Sequence, residues 1–167
     1  MTEPKNILAP ELMTTQWFNT DAPISLVGLR GKIVVLHAFQ MLCPGCVKDG
    51  LPQAQRIFQL FSPDDVAVIG IHTVFEHHAA MTPTSLEAFI HEYRLGFPIA
   101  VDQPGEGSPL PRTMAAYGMR GTPTLVLIND EGYIRKHTLG AEEDLRVGAD
   151  IALLVAEARL RRARANS

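Results

Sequence analysis

The sequence predicts an α/β domain built on a central mixed sheet flanked by helices, and three observations carry that prediction. Two strand-length apolar runs, residues 33–40 and 66–74, enclose one amphipathic helical stretch, which makes a βαβ unit with parallel strands. A further helix and a short strand are inserted after that unit. A hairpin around Asn129-Asp130-Glu131-Gly132 and a long amphipathic helix then close the chain.

Taken in order, residues 1–22 read as an irregular lead-in anchored by Trp17 and Phe18, and residues 24–29 as a short edge strand before the turn Arg30-Gly31-Lys32. The run Ile33-Val34-Val35-Leu36-His37-Ala38-Phe39 is a strand covered on both faces. Val47, Leu51, Ala54, Phe58 and Phe61 then recur on one face of a helix that stops at Ser62-Pro63-Asp64-Asp65. The second buried strand covers 66–74. Thr82-Pro83-Thr84-Ser85 supplies the start of the next helix, with Leu86, Phe89, Ile90 and Tyr93 on one face and a stop at Gly96. Residues 97–101 read as a short strand, 103–111 as a Pro/Gly-rich loop and 112–117 as a short helix. Strands over 124–128 and 133–139 form the hairpin. The final helix carries Val147, Ile151, Leu154, Val155 and Ala158 on one face.

With 46% apolar and 20% charged residues in 167, the chain can bury one substantial core, and no repeat or composition shift divides it, so residues 1–167 read as a single domain. A net charge of −3 gives no basis for a nucleic-acid or acidic-lipid partner. The densest basic cluster, Arg159, Arg161, Arg162 and Arg164, closes a helix that opens with Glu142, Glu143 and Asp144, so these charges follow the helix dipole. Residues 1–6 lack a basic segment followed by an apolar one, and no apolar stretch approaches membrane-spanning length. The expectation is a soluble, cytosolic protein with no membrane partner.

Both cysteines of the chain stand in Cys43-Pro44-Gly45-Cys46, at the junction of the first buried strand with its helix. That is the layout of a reversible dithiol/disulfide centre, because a helix N-terminus stabilises the thiolate that thiol chemistry needs. Cys43, at the exposed edge, is the expected nucleophile, and Cys46, one turn inward, the expected resolving thiol. Two other readings stay open. The cysteines can be half of a zinc site completed by His72 with His77 or His78, although no closely spaced second ligand pair is present. A purely structural disulfide would close so small a loop that it constrains little.

With Gly121-Thr122-Pro123-Thr124 entering the hairpin, Trp17-Phe18-Asn19-Thr20 through Leu29-Arg30-Gly31-Lys32 preceding the first buried strand, and the cysteine pair between them, residues 15–160 resemble the thioredoxin superfamily. Within it the chain looks most like the redoxin or TlpA-type branch related to AhpC/TSA proteins. The resemblance implies a thioredoxin-like fold and a thiol-disulfide oxidoreductase with roles in redox homeostasis and antioxidant defence. It implies a cis peptide before Pro123, with Pro123 against the two sulfurs, the Thr122 backbone offered to a substrate chain, and Pro44, Gly45, Thr122 and Pro123 as the substrate-binding residues. No organic cofactor is expected. The implied partners are a disulfide-containing protein and an external thiol reductant or oxidant, and the oligomeric state is not legible.

Several residues depart from the family pattern. Leu42 replaces the Trp that commonly precedes the first cysteine, Pro44-Gly45 reverses the usual Gly-Pro order, and Pro52 falls one residue later than usual, which points to a bulge at the start of the helix. His37 occupies the position of the family's buried acid; it is either a base that takes the Cys46 proton or a satisfied core histidine. After the second strand, Glu76 is a candidate acid/base group and His77 or His78 a docking or relay residue, against the alternative of a solvated loop. Arg120 either lowers the thiolate pKa or pairs with an acid. Two other functions are weighed. A thiol peroxidase of this superfamily needs Thr or Ser three residues before its reactive cysteine, and Cys43 fills that place relative to Cys46. A non-enzymatic metal carrier would use the cysteines with the nearby histidines.

Overall fold

The computed structural model describes residues 6–167, so the first five residues of the lead-in lie outside the described residues. Six strands form one sheet: β1 (Thr14–Phe18), β2 (Ile33–Phe39), β3 (Val66–His72), β4 (Ile99–Asp102), β5 (Thr124–Ile128) and β6 (Ile134–Leu139). Their order is β1-β4-β3-β2-β5-β6. β2, β3 and β4 are parallel, whereas β1 joins β4, β5 joins β2 and β6 joins β5 antiparallel. The helices are α1 (Leu51–Leu60), α2 (Pro83–Glu92), α3 (Arg112–Ala116) and α4 (Asp144–Ala165). None is long and apolar enough to cross a membrane.

Alternation along β2 splits the interior in two. Ile33, Val35 and Phe39 face α1, α2 and α4, where Leu51, Ala54, Leu86, Ile90, Val147 and Ile151 cover them. Val34, Leu36 and Ala38 face the other side, under Leu26, Met114, Tyr117 and Met119. Every residue of β2 is buried, as a central strand with covered faces requires, and each Leu, Ile or Phe so placed contributes about 1.5–3 kcal/mol. His37 lies on the α1 side of this strand, in register with Gly70 of β3 and Leu125 of β5.

The lead-in is not irregular throughout, since Thr14–Phe18 pairs with β4 as the edge strand, and Trp17 and Phe18 pack on opposite faces of the sheet. Residues 24–29 are not a strand. Val27–Leu29 form a 3-10 turn because side chains satisfy the amides that a ladder would need: the Glu11 carboxylate accepts from Leu26 and Val27, and Ser25 Oγ accepts from Gly28. Tyr133 bridges to Leu8 outside the hairpin strands, so β6 starts at Ile134. At the other end of α4, Arg159 and Arg162 pair with Asp65 and Arg161 with Asp130, so the basic cluster also ties the helix to the loops before β3 and after β5.

Candidate active site

Residues 46–50 form a π-helical turn before α1. Leu51, Ala54 and Ile57 are buried, while Phe58, expected on the inner face, is 39% exposed. Its ring nonetheless stands edge-on to the buried Phe97, with centroids 6.3 Å apart, so Phe58 lies at the margin of the inner face. The bulge seats Gly50 directly over His37. A Cβ at Gly50 would lie 2.3 Å from His37 Nε2 and 3.1 Å from Pro123 Cβ, so only glycine fits there.

Cys43 and Cys46 are disulfide-bonded, with their Cα atoms 5.2 Å apart. Cys46 is fully buried and Cys43 is half-exposed, so an incoming group meets Cys43 first. The Cys46 amide donates to Cys43 Sγ at 3.2 Å. An amide dipole aimed at that sulfur stabilises negative charge there. Cys43 Sγ also lies 3.5 Å from the carbonyl oxygen of Thr122.

The Thr122–Pro123 peptide bond is cis. Pro123 is buried against the cysteine loop, its Cδ standing 3.4 Å from where a Cβ on Gly45 would be. Thr124 Oγ donates to the Gly121 carbonyl at 2.7 Å and holds the bend that presents Thr122. The structure thus brings together Cys43, Gly45, Cys46, Thr122, Pro123 and, beneath them, His37; Pro44 is exposed on the loop.

His37 is 4% exposed, and burial pushes its pKa down from 6.5 to about 4. Its Nδ1 is 3.5 Å from the Thr124 carbonyl, while Nε2 has no hydrogen-bond partner among the described residues. With the proton on Nδ1, Nε2 is a bare lone pair in the interior, an arrangement that costs about 1–3 kcal/mol.

His72 is equally buried, and desolvation lowers its pKa to about 4 as well. Its Nε2 accepts the Met41 amide at 3.2 Å and its ring packs on Phe39, so this nitrogen is occupied in holding the loop before Cys43. Glu76, His77 and His78 are exposed, and none hydrogen-bonds to the cysteine loop. No cluster of three or more metal-ligating side chains occurs among the described residues. Arg120 is exposed and forms no ion pair among them.

Gln40 and Gly50 belong to the site but carry no obvious chemical signal in the sequence. The buried Gln40 accepts the Phe75 amide at 3.1 Å through Oε1 and the Cys43 amide at 3.2 Å through its carbonyl, clasping the loops after β2 and β3 together. A glycine inside a helical pattern is the one sequence signal by which Gly50 can be found.

Comparison with known proteins agrees with this geometry. The thiol-disulfide oxidoreductase ResA of Halalkalibacterium halodurans is 30% identical over 123 residues, covering 73% of this chain and 62% of that protein. The sporulation thiol-disulfide oxidoreductase A of Bacillus subtilis is 31% identical over 111 residues, 66% of this chain and 61% of the relative. The chain therefore spans about three fifths of the length of these curated relatives. Among solved structures, a thioredoxin-like superfamily protein superposes with a TM-score of 0.87 at 57% identity, covering 89% of this chain and 96% of the other. A thiol-disulfide isomerase from Corynebacterium glutamicum superposes at 0.86 with 44% identity, over 90% and 97% of the two chains. The fold is thioredoxin-like, and because the AhpC/TSA family pattern matches residues 8–137, well over half of its length, the chain belongs to the AhpC/TSA family.

Proposed function

We propose that this protein is a thiol-disulfide oxidoreductase that exchanges its Cys43–Cys46 disulfide with protein or small-thiol substrates. The observation that supports this best is the asymmetry of the pair: Cys43 is half-exposed beside the Thr122 backbone, and Cys46 is fully buried behind it. In the reduced protein the Cys43 thiolate attacks one sulfur of a substrate disulfide. A Cys43–substrate disulfide forms and the other substrate sulfur leaves as a thiolate. The Cys46 thiolate then attacks Cys43 Sγ, which breaks the mixed disulfide and releases the second substrate thiolate. The substrate gains two electrons, and an external thiol returns them to the oxidised protein.

Thr122, Pro123, Pro44 and Gly45 form the surface against which the substrate chain lies, with the free Thr122 backbone edge pairing in the manner of an added strand. His37 accepts the Cys46 proton. Burial keeps the imidazole neutral at rest, and the thiolate created beside it supplies the opposite charge that favours its protonated form during the second step. Glu76, exposed on the loop after β3, is the further candidate acid/base group.

Titration of the Cys43/Cys46 pair in graded glutathione buffers, read by thiol alkylation and mass, tests the reading. The expected result is a two-electron transition between about −270 and −120 mV, the span of dithiol oxidoreductases. A pair that forms no disulfide at any poise would overturn it.

A further inference from the structure

We infer that the outer face of α4 is the interface of a symmetric homodimer in which the α4 helices of two copies pack antiparallel. The inner face of this 22-residue helix is buried on the sheet through Val147, Ile151, Leu154, Val155 and Ala158. Its outer face is apolar too: Leu145, Ala149, Leu153, Ala156, Leu160 and Ala163 follow one another at helical spacing and all are exposed. Leu145 is 90% exposed, Leu153 58% and Leu160 52%. Helices apolar on both faces are normally covered on both, and this stripe runs about 27 Å with nothing over it.

Two features identify a second copy as the cover and give its direction. Leu145, the most exposed large apolar side chain, stands at the N-terminal end of the stripe. Toward the C-terminal end, Ala152, Ala156 and Leu160 meet Leu60 and Phe61 at the end of α1, with the Arg159–Asp65 ion pair at the side, to form a groove of about 670 Å3. Knob and groove on one surface complement each other only when the second helix runs the opposite way, so that each Leu145 enters the partner's groove in an isologous contact.

Charge gives the same direction. At the start of α4, Glu142 and Asp144 are held within the chain by Lys136 and Arg56, and at its end Arg159 and Arg162 are held by Asp65 and Arg161 by Asp130, so the charges left for a partner are Glu143 and Arg164. Antiparallel packing sets Glu143 of one copy toward Arg164 of the other and opposes the helix dipoles, whereas parallel packing sets like against like. Glu143 and Arg164 have no ion pair within the chain among the described residues, which leaves them to pair across the interface. The groove lies at the C-terminal end of α1, the far end of that helix from Cys46, so the contact leaves the cysteines open.

Sedimentation velocity of the full chain over a dilution series tests this, with Leu145→Asp and the charge reversals Glu143→Arg and Arg164→Glu. The wild type is expected to dimerise. Leu145→Asp should weaken the dimer by at least about tenfold, each single reversal should weaken it, and the double reversal should restore it. Leu145 is solvated in the single chain, so an unchanged circular dichroism melt and unchanged disulfide exchange verify the fold of the variant. A wild type that stays monomeric up to about 1 mM, or a dimer indifferent to Leu145→Asp, overturns the interface. A double reversal that fails to restore association overturns the antiparallel arrangement.

Discussion

His37 and His72 are the two histidines of the interior, and burial holds both near a pKa of about 4 against 6.5. A histidine lowered in this way contributes stability that is present above its unfolded pKa and lost as pH falls, because between 6.5 and 4 the unfolded chain takes up a proton that the folded chain refuses. Each should cost about 3 kcal/mol of stability across that window. Urea unfolding at pH 7 and pH 4.5 should therefore show a steep loss at the lower pH, and His37→Asn should remove roughly half of the slope. An unchanged slope would mean that His37 is not buried as a neutral ring. The two rings differ in purpose: His72 Nε2 is engaged by the Met41 amide, whereas His37 Nε2 is unpaired. The same His37→Asn variant should then slow decay of the mixed disulfide by about a hundredfold while leaving the first attack by Cys43 unchanged.

At the scale of elements, the π-helical turn at Cys46–Gly50 joins the cysteines to the strand beneath them. Gly50→Ala would drive a methyl into His37 and Pro123 and should destabilise the fold by about 1–3 kcal/mol. Pairing it with His37→Ala should recover part of that loss, a coupling measurable by a double-mutant cycle in urea. Equal losses with and without the His37 ring would show that the two do not press on one another. The βαβ unit and the hairpin were legible because their apolar runs are long and bounded by turn residues. The offset of Pro52 is the only mark of the bulge in the sequence, and Ile57, buried in the structure, lies beside the apolar row drawn through Leu51, Ala54 and Phe58. β1 escaped notice because an edge strand of five half-exposed residues has no continuous apolar signature, and its pairing with β4 is a long-range event. The edge strand expected at 24–29 failed for the opposite reason: a composition fit for a strand was overruled by Glu11, whose carboxylate arrives from a distant part of the chain.

In the whole molecule, the sheet order sets β5 beside β2, and this brings the segment around Pro123 to the end of the strand that leads into the cysteine loop, about eighty residues earlier in the chain. Motif residues at both places were readable one by one. Their convergence, and the clasp that Gln40 makes between two loops, depend on tertiary register that no local pattern encodes. Under the proposed function the two cysteines have unequal roles, exposed attack by Cys43 and buried resolution by Cys46, and the proposal rests on that inequality. Reaction of reduced Cys46→Ser and Cys43→Ser with oxidised glutathione, followed by intact mass and peptide mapping, tests it most directly. The expected result is a stable glutathione adduct on Cys43 in Cys46→Ser and little or none on Cys46 in Cys43→Ser; equal labelling of the two variants, or labelling of Cys46 alone, would contradict the unequal roles.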